Sequence, residues 1–308
     1  MLAMTRLSFS EALDQSILWN DSIFMPTPKE ILKQYGIKPR KKLGQSFLLD
    51  GNVIKKIAAV ADISSEDIVI EIGAGIGVLT EEITRIAGKV IAVEIDTQLV
   101  EILKDKLGGY SNVEIHSGDI LKYDFNSVAE KYKTKVRVVG NVPYNISSPL
   151  IFHLLSYRAV INGFILMLQK EVVERLVSLP NNKSYGVPSV ILQMFASVEK
   201  IFDVPFMCFY PRPKVESAVI RGAFLDKPLM ELADEAFFTQ LVKASFAQRR
   251  KMLINNLKNF KLLAAVEEEK IKDVLACADI DGKRRGETLS VEEFGKLSNL
   301  LCRYKNHL

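Results

Sequence analysis

Asn141-Val142-Pro143-Tyr144 puts an amide, a rigid turn and an aromatic face within four residues, a set suited to holding an amine conjugated to a flat ring. Such an amine, as in adenine, is a poor nucleophile because its lone pair is spread into the ring. The Asn141 side-chain oxygen and the backbone carbonyl beside the proline can accept from the two N–H groups and draw the nitrogen toward tetrahedral geometry. Pro143 sets the turn and Tyr144 offers a face for stacking. The preceding run, Val136 to Gly140, reads as a short buried strand. The motif therefore sits at a strand's carboxyl end, where open α/β sheets hold ligands.

Three further strand ends carry candidates. Glu71-Ile72-Gly73-Ala74-Gly75-Ile76-Gly77 follows a strand and opens a helix, so backbone can approach a ligand with no β-carbon in the way. Alone, this turn serves nicotinamide, flavin or S-adenosylmethionine equally. Glu94 closes the next strand, where a carboxylate can accept from both hydroxyls of a ribose. Asp119 follows the third strand, where a carboxylate can accept from the amino group of a cofactor adenine. Glycines, ribose acceptor, adenine acceptor and amine-orienting turn thus arrive on four successive strands, an order that narrows the cofactor to S-adenosylmethionine.

The elements that must position these groups are legible as periodicity. Short aliphatic runs at Ile68 to Ile72, Val90 to Glu94, Val113 to His116, Arg137 to Val139 and Gly163 to Leu168 read as strands, with amphipathic segments such as Leu79 to Ala87 and Gln98 to Leu107 between them. Lys170 to Leu179 reads as a helix, Tyr210 to Lys214 as irregular, and Ala218 to Phe224 as β-like. After about Asp226 the β signal disappears and Leu229 to Leu257, Val266 to Ala278 and Val291 to Tyr304 read as helical. The expected class is α/β, a Rossmann-like methyltransferase sheet with a smaller all-helical carboxyl-terminal domain. We divide the chain into an extension and basic linker over 1–42, a catalytic domain over 43–225 and a helical domain over 226–308.

Composition excludes several classes. At 308 residues, 48% hydrophobic and 25% charged, the chain can bury a substantial core and is neither disordered nor fibrous. A net charge of +4 permits a polyanionic partner without requiring one. Cys208, Cys277 and Cys302 have no C-x-x-C spacing, and His116, His153 and His307 are equally scattered, so no zinc site, disulfide framework or catalytic triad is indicated. A reducing, cytoplasmic location fits. No apolar run reaches a membrane span. The first 24 residues carry Arg6 against Glu11, Asp14 and Asp21, wrong for a targeting signal. We expect them to be a poorly ordered extension, with Met25 as the native start; an intact Met1 end on the native protein would reject this.

Longer blocks carry a resemblance. Lys42 to Leu48, Gly140 to Leu150, Leu168 to Leu176, Tyr185-Gly186, Pro211 to Val219 and Phe246-Ala247-Gln248-Arg249-Arg250-Lys251 resemble the small-subunit ribosomal RNA adenine dimethyltransferases, the group whose loss in bacteria gives kasugamycin resistance. The likeness spans about residues 40 to 300. It implies S-adenosyl-L-methionine contacts at Ser46, Leu48, Gly73, Glu94, Asp119 and Asn141, with Gly75 in the same turn, and a target base sandwiched between Tyr144 and Phe209. It also implies small-subunit rRNA within a pre-assembled small ribosomal subunit as partner, and a monomeric enzyme. Two positions depart from the family: Ser46 stands where asparagine is usual, leaving a water-bridged or backbone contact as the expectation, and Arg212 stands where a further proline is common.

The implied reaction is in-line attack of the adenine amine on the sulfonium methyl, twice, on two adjacent adenosines of a small-subunit rRNA loop. Alignment of amine and methyl, rather than strong acid or base chemistry, is what the protein must supply. RNA contacts are expected from Lys38 to Lys42 and from Arg249, Arg250 and Lys251, with Lys283-Arg284-Arg285 a weaker candidate. The nearest rival is the related large-subunit rRNA methyltransferase of macrolide resistance, against which the Gln169 to Leu176 and Phe246 to Lys251 blocks argue. A non-catalytic assembly or transcription factor would have no use for the Asn141 turn, and an NAD-dependent dehydrogenase leaves Tyr144 unexplained.

Overall fold

A computed structural model describes residues 28–304; the expected extension over residues 1–24, the Met25 start and His307 lie outside the described residues. The segment entering the fold comprises α1 (Pro28–Gln34), a two-residue strand β1 (Phe47–Leu48) and α2 (Gly51–Val60). Regular βα alternation follows: β2 (Ile68–Ile72), α3 (Val78–Thr84), β3 (Lys89–Glu94), α4 (Thr97–Leu107), β4 (Val113–Ser117), α5 (Phe125–Tyr132), β5 (Val136–Asn141), α6 (Ser147–Ser156), β6 (Ile161–Gln169) and α7 (Lys170–Val177). Then come α8 (Val187–Phe195), β7 (Ala196–Val204), β8 (Phe209–Tyr210) and β9 (Ser217–Phe224), and finally the helices α9 (Glu235–Ser245), α10 (Leu253–Lys258), α11 (Glu268–Cys277) and α12 (Val291–Cys302).

Seven strands form one sheet in the order β4-β3-β2-β5-β6-β9-β7. β4, β3, β2, β5 and β6 run parallel, and β9 lies antiparallel between β6 and β7. The chain winds outward from β2 to β4 and then returns to place β5 on the other side of β2. This reversal opens a crevice at the carboxyl ends of β2 and β5, the natural ligand position in an open sheet. β1 and β8 form a separate antiparallel pair beside it.

Side-chain alternation explains why the central strands are buried on both faces. Ile68, Ile70 and Ile72 of β2 pack with Phe125 of α5 and Leu150 and Leu154 of α6, while Val69 packs with Ile54 and Ile57 of α2 and Leu79 and Ile83 of α3. Each such aliphatic side chain contributes about 1.5–3 kcal/mol by leaving water. Helix starts are set by short polar side chains: Asp50 accepts from the N–H groups of Asn52 and Val53, Asp96 from Gln98, and Ser290 forms a reciprocal capping box with Glu293.

A second core joins the last four helices to earlier chain. Phe237, Leu241, Leu253, Ile271, Phe294 and Leu297 pack with Tyr185 and with Val190, Ile191, Met194 and Phe195 of α8. The helical layer therefore recruits residues 185–195, which precede β7 in sequence. The helix expected over Leu229 to Leu257 is interrupted: α9 and α10 are separated by a turn at 246–252, where the Lys251 N–H donates to Gln248. Among the described residues no helix is long and apolar enough to cross a membrane.

Candidate active site

The carboxyl ends of β2, β3 and β5, the turns after β4 and β5, and residues 43–47 line a cleft. Ser46, Gly73, Gly75, Glu94, Asp119, Asn141, Pro143 and Tyr144 all line it. Residues from five separate stretches of sequence thus meet in one place, four of them at or just after strand ends.

Backbone forms the floor. Gly73, Gly75 and Gly77 have φ of +66°, +60° and +80°, the left-handed region that side chains resist. A β-carbon on Gly75 would lie 3.3 Å from the Phe47 ring, and one on Gly77 2.9 Å from Leu103. Glu94 braces this loop from below: its Oε2 accepts from the Gly75 N–H and its Oε1 from the Asp96 N–H, both at 2.9 Å. Each oxygen keeps a further lone pair for a ligand hydroxyl. Burial pushes the Glu94 carboxyl above the usual carboxylate range, and those two N–H groups pull against it. Asp119 accepts from the Leu121 N–H through Oδ1 at 3.0 Å, which caps the following turn and leaves Oδ2 for the cleft. A cradle free of β-carbons with acceptors at two successive strand ends fits a cofactor carrying ribose and adenine.

Asn141 ends β5, and its Nδ2 donates to the Ser46 carbonyl at 2.9 Å. Its Oδ1 and the Val142 carbonyl accept from no protein donor among the described residues, while the Val142 N–H is tied to the Met167 carbonyl of β6 at 3.1 Å. Two acceptors are therefore presented on a turn fastened to the sheet. The Tyr144 hydroxyl lies 2.7 Å from Ser217 Oγ at the start of β9, and burial raises its pKa above the ordinary tyrosine value.

The segment before β1 closes the cleft, and its anchoring is absent from the sequence reading. Arg40 pairs with Asp96 Oδ1 at 3.0 Å and donates to Gln98 at 2.6 Å, while Gln45 Nε2 donates to Asp96 Oδ2 at 2.8 Å. On the other side Ser46 Oγ donates to the Pro211 carbonyl at 2.8 Å, and Phe47 pairs in register with Tyr210. Asp96 is the hub of this strap, yet locally its sequence signals only a helix cap. Glu71 is a further buried carboxylate, close enough to Glu94 to feel its charge. It is buried on the α3 face of β2, and one of its oxygens has no partner; burial first, then the charge of Glu94, push its carboxyl up to about 8 against the nearby Thr80 hydroxyl.

Several expected site residues are placed elsewhere. Leu48 and Phe209 face each other across the β1–β8 pair and are 4% and 1% exposed, inside the core with Ile54 and Val219. Phe209, expected to sandwich a base with Tyr144, is turned inward by the alternation along β8 and does not line the cleft. Ser46 meets the cleft, but its hydroxyl is spent on Pro211. Arg249 is a strut rather than a free cation, pairing with Glu287 at 2.9 Å and donating to the Lys183 and Tyr185 carbonyls. Arg284 is likewise engaged by Glu293 and Thr288, and Arg40 by Asp96. Arg250 and Lys251 are exposed and have no ion-pair partner among the described residues.

Comparison with known proteins gives the same picture. The family model described as ribosomal RNA adenine dimethylase matches residues 36–296. The chain is 47% identical over 276 residues to a ribosomal RNA small subunit methyltransferase A of Geobacillus sp. (strain WCH70), covering 89% of this chain and 95% of the relative. It is 46% identical to that of Bacillus mycoides (strain KBAB4), covering 90% and 96%. Among solved structures, a dimethyladenosine transferase from Plasmodium falciparum is similar with a TM-score of 0.75 and 28% identity, over 84% of this chain and 98% of that one. The 23S rRNA methyltransferase ErmE is similar with a TM-score of 0.65 and 25% identity, over 83% and 99%.

Proposed function

The chain belongs to the ribosomal RNA adenine dimethylase family, S-adenosylmethionine-dependent enzymes, and from that premise we propose that it dimethylates two adjacent adenosines in a loop of small-subunit rRNA. The cytoplasmic pre-assembled small subunit is the substrate particle and the enzyme acts as a monomer. Identity of 45–47% to small-subunit enzymes, against 25% to a 23S enzyme, supports the choice of subunit.

The observation that carries the reading is the orientation of Asn141. With Nδ2 committed to Ser46, its Oδ1 and the Val142 carbonyl remain as two acceptors for the two N–H groups of an adenine amine. S-adenosylmethionine, when bound, supplies an electrophilic methyl on its sulfonium. Glu94 would hold its ribose, Asp119 its adenine amine, and the glycine turn its methionine end. Asn141 and Val142 orient the lone pair, Pro143 keeps the turn rigid, and Tyr144 offers a stacking face, so the residues align rather than exchange protons. After one methyl transfer the cationic nitrogen releases a proton to water, and the one N–H that remains can be held by either acceptor for the second transfer.

RNA recognition is assigned to exposed cations that the struts organise. Arg249 draws the loop around Lys183 against 249–251, and backbone bonds from Leu253 and Ile254 to Arg284 and Gly282 bring 282–285 alongside. Lys183, Arg250, Lys251, Lys283 and Arg285 are all exposed on these three adjoining loops. We propose residues 226–308 as the helical RNA-binding domain, with the Lys183 loop beside it. Incubation with labelled S-adenosylmethionine and separated ribosomal subunits tests the proposal. Dimethyladenosine in small-subunit RNA is expected; label confined to large-subunit RNA, or absent from both, overturns it.

A further inference from the structure

We infer that Ser217 is a positioning residue for methyl transfer, holding Tyr144 through its hydroxyl at the angle on which the target base stacks. This rests on the reading of Tyr144 as the stacking face. The turn bearing Tyr144 leaves β5 and is tied to β6 through the Val142 N–H, but the ring reaches one strand further. Its hydroxyl meets Ser217 Oγ, 2.7 Å away, at the first residue of β9. In the sheet order β5-β6-β9 the side chain thus bridges the carboxyl end of β6, a gap of two strand spacings or about 10 Å between backbones.

Ser217 is suited to be a fixed point. It is wholly buried, and its backbone is held in register by Gln169 of β6 on one side and Val204 of β7 on the other. Tyr144 is the hydrogen-bond partner of its hydroxyl. A buried hydroxyl without a partner is costly, so this pair satisfies Ser217 and at the same time removes the ring's freedom to swing. Phenylalanine at 144 could fill the same space, but its far end would be untethered. With Phe209 inside the core, the tether at Ser217 is the contact that sets the angle of the Tyr144 ring.

The test uses the full chain with Ser217→Ala, Tyr144→Phe, their double variant, and Tyr144→Ala. Loss of one hydrogen bond at a stacking surface should lower kcat/KM for RNA by about three- to tenfold in either hydroxyl variant. The loss should appear in the KM for RNA and in a lower ratio of dimethylated to monomethylated product, with S-adenosylmethionine affinity unchanged. The double variant should be no worse than the worse single. Should Ser217→Ala fail to fold, Tyr144→Phe removes the same bond from the half-buried side and the product ratio still reads it. Wild-type kinetics in both hydroxyl variants, or losses that multiply in the double variant, overturn the inference. If Tyr144→Ala is inactive while both hydroxyl variants are normal, the stacking role stands and the Ser217 role falls. If Tyr144→Ala retains full activity, the stacking role itself fails and the inference with it.

Discussion

The Nδ2 of Asn141 donates to the Ser46 carbonyl at 2.9 Å, joining the end of β5 to a segment that enters the fold ahead of the sheet. That bond decides which end of the amide meets the cleft. An asparagine free to flip would present donor or acceptor with equal ease; tied to a carbonyl, it presents its oxygen.

Asn141→Ala should therefore lower turnover by about 10²–10³, the usual loss when one preorganised polar contact to the reacting group is removed. RNA affinity should remain near wild type. Single-turnover assays alongside RNA binding check this, and weakened RNA binding with normal methyl transfer would contradict it.

The strap predicts a cofactor phenotype away from the cofactor. Asp96 is almost fully buried and holds Arg40, Gln45 and the start of α4 together. Asp96→Ala should raise the Kd for S-adenosylmethionine by roughly tenfold and destabilise the fold by about 1 kcal/mol through the lost cap. Arg40→Ala, removing the more exposed partner, should have the smaller effect expected of a pair worth about 1 kcal/mol or less. Calorimetric titration of both variants separates the two, and equal affinities throughout would exclude a closing role for the strap.

Arg249 and its neighbours should part company. Arg249→Ala breaks the Glu287 pair and two bonds to carbonyls, so it should lower Tm. Arg250→Ala and Lys251→Ala should leave Tm unchanged, weaken RNA binding, and each reduce the slope of log affinity against log salt by about one. Thermal melts and salt titrations distinguish strut from contact; a salt slope that changes only with Arg249 would reverse the assignment.

Glu71 should make stability pH-dependent. Its folded carboxyl holds a proton until about pH 8, whereas an unfolded one releases it near 4.5. Across that window the folded state binds the extra proton, so the stabilisation is complete below about 4.5 and is lost as pH rises through about 8. Glu71→Gln stays neutral beside Thr80 and Glu94. Wild type should lose stability relative to this variant between pH 5 and 8, by on the order of a few kcal/mol. Melts of both proteins over that range would show a constant difference if the idea is wrong.

What was legible in the sequence was whatever depends on local pattern. The runs Ile68 to Ile72 and Val90 to Glu94 are strands because both faces must be apolar in a covered parallel sheet, and a strand's end is a fixed place for the residue that follows. So Gly73, Glu94, Asp119 and Asn141 could be placed at one sheet edge from chain order alone. β7 was not legible: its charged residues and the register shift between Lys200 and Phe202 erase the alternation. The two-residue strands β1 and β8 have no local signal, since they exist only by pairing with each other.

By itself, then, the sequence determined the α/β sheet, the crevice and the strand-end residues that line it, because each rests on short-range periodicity and strand order. Tertiary structure alone decided how polar groups are spent. Arg40, Arg249 and Arg284 look like free cations in a run of basic residues, and become struts only when Asp96, Glu287 and Glu293 are folded against them. The resemblance implies a base-stacking role for Phe209, whereas pairing with β1 places its ring in the core, and Ser217 looks like an ordinary strand residue until the Tyr144 hydroxyl arrives across β6. Partners so distant along the chain leave no trace in local pattern, because a hydrogen bond is sensitive to ångströms in space and indifferent to separation in sequence.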